Sequence, residues 1–388
     1  MGSAFVHLSL QLAMPSLRLI LMILASISER RASSSQASPP TAVAVSATSS
    51  GTMVDTPCLA NCLFYTDQLR ITCPIQSKVP LPGTQLLQPN QNLLWSHPAL
   101  ALEHQKNMTS LHLRGCGHTN FQAAAFQGLE SLLYLYMNNL SLGNLRDGIF
   151  DGMEHLSFLD LDNNRIANIS PGTFLPLKNL AGLHLRDNLL TNLHDNMFQG
   201  LSQLRWLYLN RNRISQISEN AFRAPSKLRR LYLQGNSLTS VPSNAINILK
   251  LSILNLGSNH IHNISNVDFK KLRFLRELKL GGTELVNVSP NSFASLKRLR
   301  TLDLSNNNLS TLPSLSLLPA LQRLHLEGNP WLCDCRLTWL HTWVQEEDSE
   351  PVTCQSPPSL NGHRLGRTKV VLFSAGLGHG DVPMCFDC

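Results

Sequence analysis

The sequence lacks a long apolar segment beyond one run near its amino terminus. That run, residues 19–25, follows Arg18 and is far shorter than the roughly 20 residues of a membrane-spanning helix. It fits the core of a secretory signal peptide, which we place at residues 1–28, with Met14 as an alternative start. Because no second apolar run follows, we expect neither a transmembrane helix nor a glycolipid anchor. We predict a secreted protein of the extracellular space or matrix.

The sequence also lacks the spacing patterns of catalytic or metal-binding residues. Its 14 histidines are scattered, and no Ser/His/Asp or Cys/His set is indicated by spacing. His112, His184 and His325 occupy equivalent positions of the repeats described below, but they lie several repeats apart and cannot share a metal. The glycine-rich stretch 376–380 has no strand and helix around it, so we interpret it as a loop rather than a phosphate site. We predict no enzymatic activity, no cofactor and no bound metal.

Acidic residues are outnumbered by basic ones. The chain has 32 Lys and Arg against 25 Asp and Glu, which gives a net charge of +7 and a pI near 9.0. This balance favours acidic partners such as sulfated glycans or an acidic protein face. The sequence contains no nucleic-acid-binding module, and we expect no nucleic acid partner.

One phrase, Leu-x-x-Leu-x-Leu-x-x-Asn-x-Leu, recurs ten times between residues 108 and 331. Most copies start 24 residues apart, with one interval of 23 and one of 22. A period of roughly 20 to 29 residues with this phrase is the signature of a leucine-rich-repeat solenoid. We predict an α/β horseshoe with a parallel sheet on its concave face, an irregular or 3-10 convex side and disulfide caps. The copies start at Met108, Leu132, Leu156, Leu180, Leu204, Leu228, Leu251, Leu275, Leu299 and Leu321.

Within each copy, numbered from its first residue, three features have distinct roles. The leucines at positions 4 and 6 alternate with outward residues, as in a strand with one buried face. Position 9 is Asn in seven copies, where a buried amide can bond backbone groups of neighbouring turns. The exceptions are Cys116, Leu140 and Thr283; because Leu140 has no polar group, we expect a distorted second repeat. Position 19 is predicted to form a core column: Phe126, Phe150, Phe174, Phe198, Phe222, Phe269 and Phe293.

The composition divides the chain into five segments. Residues 29–57, after the signal peptide, are rich in Ser, Ala, Thr and Pro and are predicted to be a disordered linker. Residues 58–107 are predicted to be an amino-terminal cysteine-rich cap, in which 84–107 hold a possible degenerate repeat. Residues 108–328 are the repeats, and residues 329–388 are the carboxyl-terminal cap.

Eight of the nine cysteines flank the repeats, and only Cys116 lies within them. Clusters at both ends indicate disulfide-bonded caps formed in an oxidising compartment. The odd total requires at least one thiol that is free or intermolecular. Cys58 and Cys388, which the pairs implied by the resemblance given below leave over, are candidates for a disulfide-linked dimer.

The stretch 329–343, NPWLCDCRLTWLHTW, closely resembles the NPWxCDCxLxWL stretch of carboxyl-terminal caps. These caps belong to extracellular leucine-rich-repeat proteins of the chondroadherin, Slit, Nogo-receptor and nyctalopin kind. The resemblance implies the pairs Cys333–Cys354 and Cys335–Cys385, with Cys388 as an alternative partner of Cys335. It also implies adhesion, matrix binding or synaptic and axonal signalling through protein contacts.

The amino-terminal cap resembles the C-x3-C-x-C pattern of the same proteins, but Phe64 stands at the third position. The resemblance therefore implies a Cys62–Cys73 pair and leaves Cys58 without its partner.

Six Asn-x-Ser/Thr sequons are consistent with a secreted glycoprotein. One of them, Asn139, is predicted to lie on the concave face, where a glycan would obstruct binding. The candidate N-glycosylation sites are Asn107, Asn139, Asn168, Asn263, Asn287 and Asn308.

Positions 2, 3, 5, 7 and 8 are predicted to face outward from the concave sheet, where partners would bind. Two clusters of aromatic residues occupy these positions, and the second also contains arginines, which with Trp and Tyr are enriched at binding hot spots. An alternative is that the rings stack on one another and only shield the sheet. The candidate binding residues are Tyr134, Tyr136 and Phe158 near the amino end, and Arg205, Trp206, Tyr208, Arg229, Arg230 and Tyr232 further along.

Two adjacent repeats carry a basic stripe suited to sulfate groups, although such runs are often only solvated. Its residues are Lys270, Lys271, Arg273, Arg276, Lys297, Arg298 and Arg300. The first hypothesis for function is a secreted adhesion or signalling protein that binds an extracellular protein ligand or receptor. The alternatives are the ectodomain of a membrane-attached receptor and a carrier of heparan-type glycosaminoglycan or growth factor.

Overall fold

In the computed structural model, residues 108–113, 121, 126, 128–342 and 352–364 are described, together with three short strands nearer the amino terminus. The candidate residues Asn107, Cys58, Cys62, Cys116, Cys385 and Cys388 lie outside this part of the chain. Among the described residues, no helix is long and apolar enough to span a membrane.

Short strands recur once per repeat, as the leucine alternation predicts. In chain order they are β1 (Val43–Ala44), β2 (Leu63–Tyr65), β3 (Arg70–Cys73), β4 (Ser110–Leu113), β5 (Tyr134–Tyr136), β6 (Phe158–Asp160), β7 (Gly182–His184), β8 (Asn192–Leu193), β9 (Trp206–Tyr208), β10 (Gln216–Ile217), β11 (Arg230–Tyr232), β12 (Ile253–Asn255), β13 (Asn263–Ile264), β14 (Glu277–Lys279), β15 (Asn287–Val288), β16 (Thr301–Asp303), β17 (Arg323–His325), β18 (Trp331–Leu332) and β19 (Cys354–Ser356). One α-helix, α1 (Ser243–Ile246), and two 3-10 helices, Cys335–Thr342 and Pro358–Leu360, complete the described elements.

The concave side is one 13-stranded sheet in the order β1-β2-β3-β4-β5-β6-β7-β9-β11-β12-β14-β16-β17. The first three strands are antiparallel, and every pairing from β3 onward is parallel. Equivalent repeat positions pair directly: Arg230 stands beside Trp206 on one side and Ile253 on the other. The strand register is therefore the same across the 23-residue interval between β11 and β12 as across the 24-residue interval between β9 and β11.

The amino-terminal cap joins this sheet directly, because β3 pairs with β4 without an intervening strand. Residues 84–107, the possible degenerate repeat, lie outside the described part of the chain. β1, which lies in the segment predicted to be a linker, pairs with β2 of the predicted cap.

The position-9 asparagines connect successive turns. Asn212 Nδ2 donates to the carbonyl oxygens of Leu185 and Leu209, at 2.9 and 3.0 Å. Its Oδ1 accepts from the Leu190 amide at 3.1 Å, so one buried side chain satisfies groups of two turns. The same pattern recurs at Asn164, Asn236, Asn259, Asn307 and Asn329.

The two described repeats without Asn at position 9 differ locally from the others. Leu140 and Thr283 occupy this position, and the residue after each, Ser141 and Glu284, has a positive φ of 55° and 65°. The predicted distortion of the second repeat is confined to this turn, since β5 keeps its register with β4 and β6. The next asparagine compensates: Asn164 Oδ1 accepts from the amides of both Leu140 and Leu142.

Phenylalanines form the predicted column on the convex side. Consecutive rings from Phe126 to Phe222 stack with centroid separations between 5.9 and 6.4 Å. The column is interrupted at Ile246, where α1 occupies the convex side, and resumes with Phe269 and Phe293, 6.0 Å apart. These rings are buried, so the column belongs to the hydrophobic core and does not form a binding surface.

The carboxyl-terminal cap covers the last repeat. Leu337 and Leu340 of the first 3-10 helix are fully buried, and Trp331 Nε1 donates to the Leu326 carbonyl at 3.0 Å. A disulfide joins Cys333 to Cys354, the pair implied by the resemblance. Cys335 is also disulfide-bonded, to a partner outside the described residues.

Candidate functional site on the concave face

Six rings form a continuous row across the concave sheet, which we name the concave aromatic row. Its neighbours are in ring contact throughout, with centroid separations of 4.0, 5.3, 4.9, 4.2 and 4.5 Å. In order, the row consists of His112, Tyr136, Phe158, His184, Tyr208 and Tyr232. The sequence predicts two separate aromatic clusters; in the structure His184 joins them into one row.

Phe158 differs from its predicted role as an exposed binding residue, because it is only 6% exposed. The reason lies one repeat away, at Gly182. A Cβ at Gly182 would lie 3.1 Å from Phe158 Cδ2 and 3.4 Å from Trp206 Cε3. The missing side chain therefore lets both rings lie against the sheet. Phe158 supports the surface more than it contributes to it.

Beside the row, on the strands that hold Tyr208 and Tyr232, a cation lies over a tryptophan ring. The Arg230 guanidinium lies 5.9 Å from the centre of the Trp206 ring, within the range of a cation–π contact. Burial raises the pKa of Tyr208 and of Tyr232 above the ordinary tyrosine value. Both hydroxyls therefore stay protonated at physiological pH. Tyr134, outside the row, is half-buried, and its pKa is raised for the same reason.

Arginines at position 2 form a basic edge beside this surface. Arg205 and Arg229 are exposed and adjacent, since the Arg229 amide bonds the Arg205 carbonyl at 2.9 Å. Ser252 interrupts the column, and Arg276 and Arg300 continue it through the same backbone bonds. Arg205 and Arg229 of the aromatic and basic cluster therefore lie along the same edge of the sheet as Arg276 and Arg300 of the basic stripe.

Four residues of the predicted basic stripe line one open depression of about 270 Å³: Arg276, Lys297, Arg298 and Arg300. Lys270, Lys271 and Arg273 are exposed but do not line it. Within the described part of the chain, no carboxylate is within ion-pairing distance of these seven side chains. The Arg298 guanidinium lies 5.2 Å from the Phe274 ring centre.

An acidic group on the other side of the row is absent from the sequence-based candidates. Asp160 and Asp162 are each only 8% exposed. His184 Nδ1 lies 3.7 Å from Asp162 Oδ2, and Arg186 Nε lies 3.5 Å from the same oxygen. The group is visible in the sequence only when positions 5 and 7 of one repeat are compared with position 5 of the next repeat. A comparison of the histidines with one another does not reveal it.

The five described sequon asparagines are exposed: Asn139, Asn168, Asn263, Asn287 and Asn308. Asn139 adopts a positive φ of 59° in the turn after β5. Asn287 Nδ2 lies 3.2 Å from Asn263 Oδ1, because these residues pair between β13 and β15.

Comparison with known proteins agrees with the repeat architecture. The leucine rich repeat family model matches overlapping segments 106–166, 137–190, 155–214, 178–238, 226–285 and 274–330. Together these segments cover more than half of the chain.

Curated relatives match over short segments. The platelet glycoprotein Ib beta chain of Rattus norvegicus is 44% identical over 70 residues, which are 16% of this chain and 34% of that one. Chondroadherin of Rattus norvegicus is 39% identical over 71 residues, or 18% of this chain and 20% of that one. The chain therefore matches about a third or less of the length of these relatives.

Among solved structures, a chain of the octameric complex of Latrophilin 3, Unc5D and FLRT2 superposes with a TM-score of 0.53 at 22% identity. The superposition covers 70% of this chain and 84% of that one, and it demonstrates a shared fold.

Proposed function

Because the chain belongs to the leucine-rich repeat family, we propose that it is an extracellular binding or adhesion protein whose concave face engages a protein partner. The observation that carries this proposal is the concave aromatic row, together with the Arg230–Trp206 contact on the strands that hold Tyr208 and Tyr232. Half-buried Trp and Tyr rings offer large, rigid contact area, and Trp, Tyr and Arg dominate binding hot spots. We propose no enzymatic role.

Two features support an extracellular setting. The Cys333–Cys354 disulfide is of a kind that persists in oxidising compartments. The exposed sequon asparagines are accessible to glycosylation, which takes place in the secretory pathway.

The structurally similar chain in the Latrophilin 3, Unc5D and FLRT2 complex belongs to an assembly of different proteins. By analogy, we infer a protein ligand or receptor for this chain.

The test is a binding screen against purified extracellular proteins, with three forms of the secreted protein. Wild type is compared with the double variant Trp206→Ala/Tyr232→Ala and with Val267→Ala, which changes an exposed apolar side chain, 59% exposed, outside the aromatic row. We expect the double variant to lose binding at least about tenfold, the effect of removing more than one hot-spot residue, and Val267→Ala to retain it. A partner that binds all three forms equally would exclude the concave face as its site.

The concave face would serve equally in a secreted protein and in the ectodomain of a membrane-attached receptor. Fractionation of transfected cells distinguishes the two: protein in the medium supports the secreted form, and surface protein resistant to heparin supports a receptor complex. A doubled mass that disappears on reduction would support a covalent dimer through Cys58 or Cys388.

A second candidate function, binding of heparan-type glycosaminoglycan, is favoured by the basic depression lined by Arg276, Lys297, Arg298 and Arg300. Four cations without an ion-pair partner among the described residues suit a row of sulfate groups. We expect Arg276→Glu/Arg300→Glu to elute from heparin at much lower salt than wild type while Trp206→Ala/Tyr232→Ala elutes unchanged. Unchanged elution of the charge-reversal variant would refute this function without affecting the first.

A further inference from the structure

The acidic group beside the concave aromatic row brings three potential metal ligands together from neighbouring turns. One oxygen each of Asp160 and Asp162 and one nitrogen of His184 all lie within 4.8 Å of one another. Asp160 and His184 are paired residues of β6 and β7, and Asp162 follows β6 by two residues on the same face. The pairing of β6 with β7 therefore sets the spacing of Asp160 and His184.

Burial makes this arrangement costly without a cation. Two carboxylates that are each 8% exposed lie side by side, and a buried charge is ordinarily paired or bound to a metal. Asp162 has Arg186 at 3.5 Å, but no ion pair is formed by Asp160 within the described residues. Burial and the neighbouring Asp162 both raise the pKa of Asp160.

A buried amide adds an independent indication of a missing ligand. Asn138 is 9% exposed, and its Nδ2 donates to Asp160 Oδ2 at 3.3 Å. Its Oδ1 is fully buried and has no hydrogen-bond partner among the described residues. A buried acceptor without a donor is unfavourable by about 1–3 kcal/mol. The other end of the same amide donates to Asp160, so the unsatisfied oxygen belongs to a residue that contacts the carboxylate group.

The chain contains a matched arrangement that lacks the second carboxylate. Asp303 and His325 pair between β16 and β17 as Asp160 and His184 do between β6 and β7, but Ser305 stands where Asp162 would be. There the serine hydroxyl donates to Asp303 Oδ1 at 2.7 Å and satisfies the carboxylate within the protein. At the first site Asp162 adds a second negative charge instead of a hydroxyl, and Asp160 accepts from the Asp162 amide at 2.9 Å and from Asn138 Nδ2 at 3.3 Å.

We propose that Asp160, Asp162 and His184 form a binding site for a divalent transition-metal ion, with Zn²⁺ as the fitting ion. Imidazole nitrogen combined with carboxylate oxygen suits Zn²⁺, whereas Ca²⁺ prefers oxygen alone. Ligand atoms on a tetrahedral zinc lie about 3.3 Å apart, given bonds of about 2.0–2.1 Å. The 3.7 Å between His184 Nδ1 and Asp162 Oδ2 is close to this separation.

Arg186 is the competing cation, and its position is compatible with the site. Its Nε lies closer to Asp187 Oδ2, at 3.0 Å, than to Asp162 Oδ2, at 3.5 Å. The side chain can therefore keep a carboxylate partner when a metal occupies Asp162.

The test is calorimetric titration of Zn²⁺ into chelator-treated, secreted protein. Each variant keeps a structural role of the residue that it replaces: Asp160→Asn retains the turn acceptor that Asn255 provides at the same position, where its Oδ1 accepts from the Gly257 amide at 3.0 Å. Asp162→Asn retains the acceptor for the Arg186 amide. His184→Phe retains a ring between Phe158 and Tyr208 but has no metal ligand. Thermal unfolding in chelator verifies that each variant is folded.

We expect wild type to bind one Zn²⁺ and each variant to bind it at least about tenfold more weakly, since loss of even an outer partner costs a metal site that much. Glu284→Gln is the control, because Glu284 lies between His260 and His262 at 3.0 and 3.5 Å and forms the competing surface site. The visible absorption of bound Co²⁺ should change in the three site variants and persist in the control.

Three outcomes would overturn the proposal. They are absence of Zn²⁺ binding by wild type, Zn²⁺ binding lost only in Glu284→Gln, and Ca²⁺ binding as tight as Zn²⁺ binding. None of them affects the proposal of protein binding through the concave aromatic row, which is tested without metal.

Discussion

Replacing Thr283 by Asn should stabilise the protein, because it restores a contact that every other described position-9 polar residue makes. Thr283 Oγ1 lies 2.8 Å from the Leu280 carbonyl and 3.0 Å from Asn307 Oδ1, but its single proton can serve only one of them. An asparagine has two protons. It would keep the bond to Leu280 and add one to Leu256, as Asn307 bonds both Leu280 and Leu304.

The expected gain is about 1–2 kcal/mol. One added buried hydrogen bond contributes about 1 kcal/mol. Release of Glu284 from its left-handed conformation, with φ at 65°, contributes about another 1 kcal/mol, and loss of the threonine methyl offsets part of this. With a urea m-value of about 3 kcal/mol/M, the unfolding midpoint should rise by roughly 0.5 M at unchanged slope.

The reverse substitution is the matched control. Asn212→Thr removes the bond to the Leu185 carbonyl, which is 2.9 Å long, and should lower the midpoint by a similar amount. If Thr283→Asn leaves the midpoint unchanged or lowers it while Asn212→Thr is destabilising, the contribution assigned to the second carbonyl contact and the left-handed residue is refuted.

Three other predictions concern the concave face and the surface. Gly182→Leu should displace the Trp206 ring, whose Cε3 would lie 3.4 Å from a Cβ there, and should shift the tryptophan fluorescence and weaken partner binding. Asp160→Asn, in chelator, should raise the free energy of unfolding near pH 7 and not near pH 3. The folded-state pKa of Asp160 is raised, so wild-type stability falls as the pH rises from the unfolded value of about 3.9 through the folded value. Glycopeptide mass spectrometry should find a glycan on Asn263 or on Asn287 but not on both in one molecule, because their side chains are in contact at 3.2 Å.

Each of these predictions has a control or a contrary result. Gly143→Leu adds a side chain into open space and should leave the fluorescence unchanged. Asp303→Asn should not reproduce the pH-dependent gain of Asp160→Asn, since Asp303 has no second carboxylate beside it. Peptides with both Asn263 and Asn287 occupied would show that the crowding is tolerated.

The regular part of the fold follows from the sequence because each repeat makes the same contacts with its neighbour. The leucine alternation predicts the strands, and the phenylalanine column lies where the spacing indicates. The turns are less predictable. Position 8 has a positive φ in Asn163, Asp187, Arg211 and Ser258, as well as in Gly235. Gly, Asn and Asp, which favour this conformation, hold position 8 in seven of the nine described repeats, but Arg211 and Ser258 do not reveal it by residue type.

The candidate site depends on contacts between repeats, which a single-repeat pattern does not contain. Phe158 is predicted to be exposed from its own position, but its burial is decided by the missing side chain of Gly182 on the next strand. The carboxylate and imidazole of Asp160 and His184 become neighbours only through the pairing of β6 with β7. This proximity can be predicted only if positions 5 and 7 are compared together across adjacent repeats.

The interruption of the phenylalanine column at Ile246 has a consequence for how the array unfolds. In a linear array, cooperativity is carried by the coupling between nearest neighbours. An aromatic pair contributes about 0.5–1.5 kcal/mol beyond its buried area, and the junction between Phe222 and Phe269 lacks that pair. The repeats before and after α1 therefore form two cooperative blocks joined at a weaker boundary. Amide hydrogen exchange at this boundary should report subglobal opening at a lower free energy than exchange within either block.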